Sequence, residues 1–325
     1  KSDEARAEPT ARWLRAAARL DVDKTPIWMM RQAGRYMEEY RAIRAKHTML
    51  ETINSPELAA EITLQPINAF EMDAAIIFAD ILPPLIGMGL ELTFEKGVGP
   101  VIHNPIEKTF DVDILATPPA AETMPATLEA IKMVAAELEP KNIPLIGFAG
   151  APFTLATYAI EGGGSKNHAK TKAFMYQEPA AWDRLMKKLV TIQADYMIQQ
   201  AKAGASALQV FDSWAGAVSK VDYIRYVFPY TQELIRMLGR AGVPVINFST
   251  RTFLDVVAQA GGDVVGVDWQ LPLEQAWEMI GDDQAIMGNL DPILLLAPWR
   301  ELKAHIDQIL EAADGRNGHI FNPGH

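Results

Sequence analysis

Pro26-Ile27-Trp28-Met29-Met30-Arg31-Gln32-Ala33-Gly34-Arg35-Tyr36 sets an apolar run directly against two arginines four residues apart. A run of this length opened by proline reads as a buried strand, so the arginines leave the core at its carboxyl end, where α/β folds place their ligands. Guanidinium forks grip carboxylates or phosphates through two parallel hydrogen bonds, and Gly34 lets the backbone approach whatever they hold. The plainer alternative is a solvated loop of ion pairs.

Outward from this segment the same pattern recurs. Apolar runs of strand length occupy residues 27–30, 74–78, 143–148, 207–211, 243–248, 264–267, 285–287 and, as the weakest, 320–321, with helix-like stretches between them. Near-continuous hydrophobic runs are what parallel strands covered on both faces require. Eight of them alternating with helices predict an α/β fold, a single (β/α)8 barrel of the TIM type with its active site at the carboxyl ends of the strands. Ser55-Pro56-Glu57 predicts a helix start, with Ser as the cap and Pro in the first turn before residues 58–70, while Gly204 and Gly242 predict helix ends ahead of the fourth and fifth strands. No Ser/Gly linker, low-complexity tract or internal repeat divides the chain, so residues 1–325 read as one domain, with a helical N-terminal extension over about residues 1–24.

Charge narrows the function classes. Residues 1–50 hold eleven Lys and Arg against seven Asp and Glu, whereas the remainder holds nineteen against thirty-four, for a net charge of −11. An acidic body lacks the broad basic surface that nucleic acid or an anionic membrane needs, and a small anionic ligand in one basic pocket fits it better. No stretch approaches the ~20 apolar residues of a membrane span and no signal-like segment follows the charged N-terminus, so the expectation is a soluble, cytoplasmic protein. With no cysteine there is no disulfide, thiolate nucleophile or Cys-ligated metal, and the six His show no H-E-x-x-H spacing. No metal is expected.

Polar residues follow the apolar runs in turn: Arg31, Asp80, Gly150-Ala151-Pro152, Asp212-Ser213, Ser249-Thr250, Asp268, Asn289 and His325. In a barrel that rim is the catalytic face, because strand ends hold side chains rigidly while loops vary. Asp268 and Asn289-Leu290-Asp291-Pro292 also read as turn formers. On residue type alone Tyr158 is a core tyrosine, Ser213 a turn or cap, and Phe148 and Phe211 plain core; Asp80 stands between a buried ion pair and a catalytic acid.

The chain resembles the uroporphyrinogen decarboxylases of the haem pathway along essentially its whole length. The resemblance rests on the opening segment together with Leu64-Gln65-Pro66, Asp73-Ala74-Ala75-Ile76-Ile77-Phe78-Ala79-Asp80-Ile81-Leu82, and Gly147-Phe148-Ala149-Gly150-Ala151-Pro152-Phe153-Thr154-Leu155-Ala156-Thr157-Tyr158. Glu161-Gly162-Gly163, Phe211-Asp212-Ser213-Trp214-Ala215-Gly216, Gly288-Asn289-Leu290-Asp291-Pro292 and Asn322-Pro323-Gly324-His325 continue it in order. Long ordered segments are far more specific than a short motif.

That resemblance implies a cofactor-free homodimer acting on uroporphyrinogen III, a flexible cyclic tetrapyrrole whose four acetates become methyl groups with loss of carbon dioxide, giving coproporphyrinogen III. It implies Arg31 and Arg35, with Gln32, Ala33 and Gly34, as the substrate-binding loop, and Asp80 as the central carboxylate beneath the macrocycle. Tyr158, Ser213 and His325 would meet the side-chain carboxylates or the reacting ring, Arg44 would add a carboxylate contact, and Phe148 and Phe211 would line the apolar part. Asp80 takes the role of transition-state stabiliser and Arg31 that of candidate proton donor, the two catalytic residues, with Asp80, Tyr158 and His325 as easier acids. His103, His168 and His305 match nothing in the family and are expected on the surface or in loops; Met29 and Met30 are expected to pack or line the cleft.

The chain departs from the family pattern at Pro323, where leucine is usual, and proline fixes the backbone just before His325. Family members also continue past this histidine into a C-terminal helix over the eighth strand, so that helix is expected to be missing from this sequence. Two alternatives are a corrinoid and zinc methyltransferase of the same superfamily, against which the lack of cysteine weighs, and a non-catalytic tetrapyrrole-binding protein, against which Asp80 and Tyr158 weigh.

Overall fold

Seven parallel strands form the core sheet of the computed structural model, which describes residues 8–323. In chain order the strands are β1 (Ala75–Ile76), β2 (Leu92–Glu95), β3 (Gly99–Ile102), β4 (Leu145–Gly150), β5 (Ala207–Asp212), β6 (Val245–Ser249), β7 (Val264–Gly266), β8 (Ala285–Met287) and β9 (His319–Ile320). Six parallel pairings join them in the order β1-β4-β5-β6-β7-β8-β9. Parallel neighbours need long crossovers, and helices supply them, among them Pro152–Glu161 and Pro179–Ala203 between β4 and β5.

Seven of the eight apolar runs therefore contain a strand; the run at 27–30 does not. Ile27 makes only a lone parallel bridge to Phe321. The reason lies in where its backbone groups go. Pro26 has no N–H to give, and the Ile27 N–H turns to the Asp73 carboxylate at 2.8 Å instead of a strand carbonyl. The Met29 N–H then goes to the Gln32 side chain at 3.2 Å, so no ladder propagates. The segment still bonds to both ends of the sheet: Phe321 N–H to the Pro26 carbonyl at 2.8 Å, Trp28 N–H to the Phe321 carbonyl at 3.3 Å, and Asp73 N–H to the Ile27 carbonyl at 2.8 Å.

Burial explains why this irregular segment is held so firmly. Trp28 is fully buried and packs with Trp13, Phe211, Phe248, Met287 and Ile320, its indole N–H pointing to the Met287 sulphur at 3.2 Å. Asp73 also accepts from the Arg12 guanidinium, tying the helix Arg12–Ala17 to the same point. Asp73→Ala removes both bonds, one of them charge-assisted, and is expected to lower the unfolding free energy by about 2 kcal/mol, as read by urea denaturation.

Helix ends fall where the sequence puts them. Ser55 accepts the Leu58 N–H at 3.3 Å ahead of the helix Pro56–Ala69. Gly204 and Gly242 take φ values of +125° and +73°, which side chains resist, after the segments Pro179–Ala203 and Gly239–Ala241. The antiparallel hairpin β2–β3 was not anticipated; Leu92 and Ile102 face the core from it. Of the helical extension, the helix Arg12–Ala17 is seen, and residues 1–7 lie outside the described residues. Among the described residues no helix is long and apolar enough to cross a membrane.

Candidate active site

A cavity of about 820 Å³ opens beyond the carboxyl ends of the strands, within the usual size range of ligand sites. Residues at and just past the strand ends make its wall: Arg31 and Gln32 after the bridged segment, Asp80 after β1, Phe148 on β4, Phe211 on β5, Ser213 and Trp214 beyond it, and Arg251 after β6.

The path that delivers Asp80 is set by local hydrogen bonds. Ile77 N–H still reaches the Ile146 carbonyl at 3.1 Å, continuing β1. Phe78 N–H instead goes to the Thr63 hydroxyl at 2.9 Å, and the chain leaves the sheet. Asp80 then closes a turn by accepting the Leu82 N–H on Oδ1 at 2.9 Å. Its carboxyl keeps a partial opening to the cavity but is otherwise surrounded by protein. This burial pushes its pKa above the ordinary carboxylate value, against the Leu82 N–H and the charge of Arg31, which both favour the ionised form.

Tyr158, on the helix Pro152–Glu161, shares that electrostatic neighbourhood. Burial raises its hydroxyl pKa, with Asp80 pushing further up and Arg31 pulling down. Its ring packs on Trp214 with centroids 5.9 Å apart. Phe148 and Phe211 meet edge to face at 5.3 Å, and Phe211 meets Phe248 at 5.8 Å, so an apolar surface lies beside the charged groups.

Arg31, Gln32, Ala33, Asp80, Phe148, Tyr158, Phe211 and Ser213 are thus brought to one cavity. Gly34, Arg35 and Arg44 are not among its lining residues. The chain turns at Gly34, whose carbonyl accepts the Met37 N–H at 3.0 Å, and enters the helix Glu38–Arg44. This carries Arg35 to an exposed position, where its carbonyl accepts the Arg41 guanidinium at 2.8 Å. The Arg44 guanidinium is committed to the His47 carbonyl at 2.8 Å and the Thr52 hydroxyl at 3.3 Å. His325 lies outside the described residues.

His168 lies in a loop, one of its two expected placements, but not on the surface. It is buried, lines the cavity, and sits 5.1 Å from the Trp214 ring; burial lowers its pKa. His103 and His305 are exposed. Asp268 does act as a turn former, accepting the Arg251 N–H at 2.6 Å and the Gln270 N–H at 2.9 Å. Sequence reasoning also missed Trp214, Lys166, Arg251 and Trp269 in the wall. Trp214, Arg251 and Trp269 each carried a signal, since they directly follow Ser213, Thr250 and Asp268; Lys166 carried none. Among the described residues no three His, Asp or Glu side chains gather to hold a metal ion.

These features define an α/β protein with a cavity at the carboxyl ends of parallel strands, lined by the Arg31 guanidinium and a poorly solvated carboxyl, Asp80. The chain matches the family model described as "Uroporphyrinogen decarboxylase (URO-D)" over residues 8–325. It is 55% identical over 320 residues to the uroporphyrinogen decarboxylase of Chloroflexus aurantiacus, covering 97% of this chain and 90% of that protein. To the uroporphyrinogen decarboxylase of Koribacter versatilis it is 48% identical over 322 residues, covering 98% and 91%. The chain belongs to the uroporphyrinogen decarboxylase family. A solved methyltransferase from Methanosarcina mazei shares the fold, with a TM-score of 0.78 at 20% identity over 96% of this chain and 91% of that one.

Proposed function

We propose that this protein is a carboxy-lyase that converts the four acetate side chains of uroporphyrinogen III to methyl groups, releasing four carbon dioxide molecules and giving coproporphyrinogen III. The observation that carries this reading is the meeting of Arg31 and Asp80 at one cavity, with the Asp80 carboxylate in surroundings that solvate its charge poorly. Family membership across residues 8–325 supports the same substrate.

Carbon dioxide leaves an acetate only when the electron pair left behind has somewhere to go. A pyrrole supplies the sink itself. Protonation of a ring carbon next to nitrogen gives an iminium-like cation; the C–COO⁻ bond breaks, its pair flows into the ring, and the exocyclic carbon takes up a proton as the ring carbon loses one. Each acetate therefore consumes one proton net. Asp80 accepts hydrogen bonds from the pyrrole N–H groups and stabilises the cation as it forms. Arg31 fixes a substituent carboxylate and keeps Asp80 ionised; Tyr158 and Ser213 hold other carboxylates, and Phe148 and Phe211 support the ring faces. With Asp80 ionised, the proton donor lies among Arg31, Tyr158 and His325.

Arg35 acts from outside the wall, on carboxylates that project beyond the cavity, and Arg44, one of whose nitrogens serves His47 and Thr52, joins it through its remaining donors. Arg31→Ala is therefore expected to raise KM by about 10- to 100-fold, the worth of a charged hydrogen bond, and Arg35→Ala by about threefold. Equal effects would show that both forks reach the bound ring.

The domain is taken as a closed (β/α)8 barrel in which residues 26–28 occupy the first strand position, a reading supported by their bonds to Phe321 and Asp73. A homodimer, placed in the cytoplasm, is proposed with it; the exposed apolar run Ile293, Leu295, Leu296 and Trp299 supports the association alone. The deciding experiment incubates the protein anaerobically with uroporphyrinogen and follows carboxylate loss by chromatography. Stepwise appearance of products down to the tetracarboxylate is expected, and a wild type that releases no carbon dioxide overturns the reading. A non-catalytic carrier would bind the ring and release none. The methyltransferase alternative needs a Cys-ligated zinc, and this chain has no cysteine.

A further inference from the structure

We infer that Arg251 is a second carboxylate-binding residue of the cavity, gripping the side of the macrocycle away from Asp80 and setting affinity for multiply charged substrates. The inference rests on the reading of the cavity as a porphyrinogen site.

Arg251 lines the cavity and its side chain is exposed there. Its guanidinium makes no hydrogen bond or ion pair with the described residues, so its donors are available to a ligand. It is also placed with effort. Its backbone takes φ +53°, a left-handed conformation that a side chain disfavours and that persists only where surroundings impose it. Two features impose it. Asp268, nearly buried, accepts the Arg251 N–H on Oδ2 at 2.6 Å, while its other oxygen takes the Gln270 N–H. Gly216 makes room on the opposite side: a Cβ there would stand 2.5 Å from the Arg251 carbonyl oxygen and 2.7 Å from its Cβ. The Asp268 carboxylate holds the Arg251 backbone without forming an ion pair with its guanidinium.

The position matches what the reaction demands. Counting hydrogen-bonded neighbours from residues 26–28, three strands (β1, β4, β5) precede β6 in one direction and three (β9, β8, β7) in the other. Arg31 and Arg251 therefore leave from opposite sides of the strand-end rim. Four acetates must reach Asp80 in turn, so in every pose other carboxylates of the same ring point away from it. One arginine beside Asp80 cannot hold those, and a second guanidinium across the cavity accepts whichever is presented.

The test compares wild type with Arg251→Gly, Arg251→Asn and Arg251→Lys. Glycine and asparagine both tolerate the left-handed backbone, so either reports if the other folds poorly. Arg251→Gly and Arg251→Asn are expected to raise KM for uroporphyrinogen about tenfold with kcat changed less than twofold, and to weaken binding of the oxidised ring uroporphyrin, read by fluorescence, by the same factor, a tenfold loss being one charged contact. Arg251→Lys, which keeps the charge, should stay within threefold. The melting temperature of the glycine variant should not fall, since the strain is relieved. Unchanged uroporphyrin affinity in the glycine and asparagine variants, or an equal loss in the lysine variant, overturns the inference. Failure of wild type to decarboxylate overturns the functional reading instead, and the binding measurement keeps the two failures apart.

Discussion

Asp80→Asn is expected to lower kcat about a thousandfold while leaving the fold intact and KM within a few-fold. Asparagine is nearly isosteric and keeps an oxygen to accept the Leu82 N–H, so the turn that presents residue 80 persists. What disappears is the negative charge. A carboxylate about 4 Å from a developing cation, in surroundings with an effective dielectric near 20, is worth about 4 kcal/mol, close to three powers of ten in rate. The substrate gains that charge only on the way to the transition state, so the effect falls on kcat. The acid limb of the pH profile supplies a second reading. Burial raises the Asp80 pKa, so the ionised form that stabilises the cation is lost at a higher pH than for an ordinary aspartate. Wild-type kcat should therefore fall as pH drops through that raised value, and Asp80→Asn should remove this limb from the residual activity. A variant within tenfold of wild-type kcat would take the role away from Asp80.

The contrast between Arg31 and Arg35 shows where sequence reading reaches its limit. Buried strands were legible because both faces of a parallel sheet are covered, which leaves apolar runs of strand length. The run at 27–30 carries the same pattern for the same reason, since Trp28 is fully buried, yet it makes no ladder because Pro26 and Asp73 redirect its backbone. Hydrophobic pattern reports burial, and backbone partners decide whether burial becomes a strand. Cavity-lining residues that leave the sheet within a few positions of a strand end, such as Arg31, Asp80 and Ser213, were legible from that register. Arg35 was not, because one turn at Gly34 separates it from the wall. Arg251, two residues past the end of β6, stands in that same register beside Ser249-Thr250, although its backbone course depends on the distant Asp268 and Gly216; His168 arrives through a loop packed on Trp214, and no local periodicity records that contact.

Asp212→Asn is expected to stabilise the protein at neutral and alkaline pH and to do little at acid pH. Asp212 ends β5 at 1% exposure; its Oδ1 accepts the Thr154 hydroxyl at 2.7 Å, while Oδ2 has no partner among the described residues. Burial without a counter-charge pushes its pKa up to about 7, only partly opposed by the bonds from Thr154. The unfolded chain releases this proton near the ordinary value of 3.8, so between those pH values the folded state binds more protons than the unfolded state. Stability is therefore fully present below about pH 4 and falls as pH rises towards 7. The slope is about 1.4 kcal/mol per pH unit, or roughly 2 to 3 kcal/mol between pH 5 and pH 7. Asparagine cannot ionise and still offers an oxygen to Thr154, so it removes that loss. Melting temperatures measured at pH 5, 6, 7 and 8 should separate progressively, the variant gaining about 5 °C over wild type by pH 8 and no more beyond it. A difference that does not grow with pH would mean that Asp212 is ionised in the folded protein throughout. The same experiment bears on the cavity, because the Thr154 hydroxyl that donates to Asp212 also accepts the Trp214 N–H at 3.2 Å. The buried carboxyl thus orients a hydroxyl that fixes one wall of the site, and a polar residue at the end of β5 is explained by that contact even though its charge destabilises the fold at neutral pH.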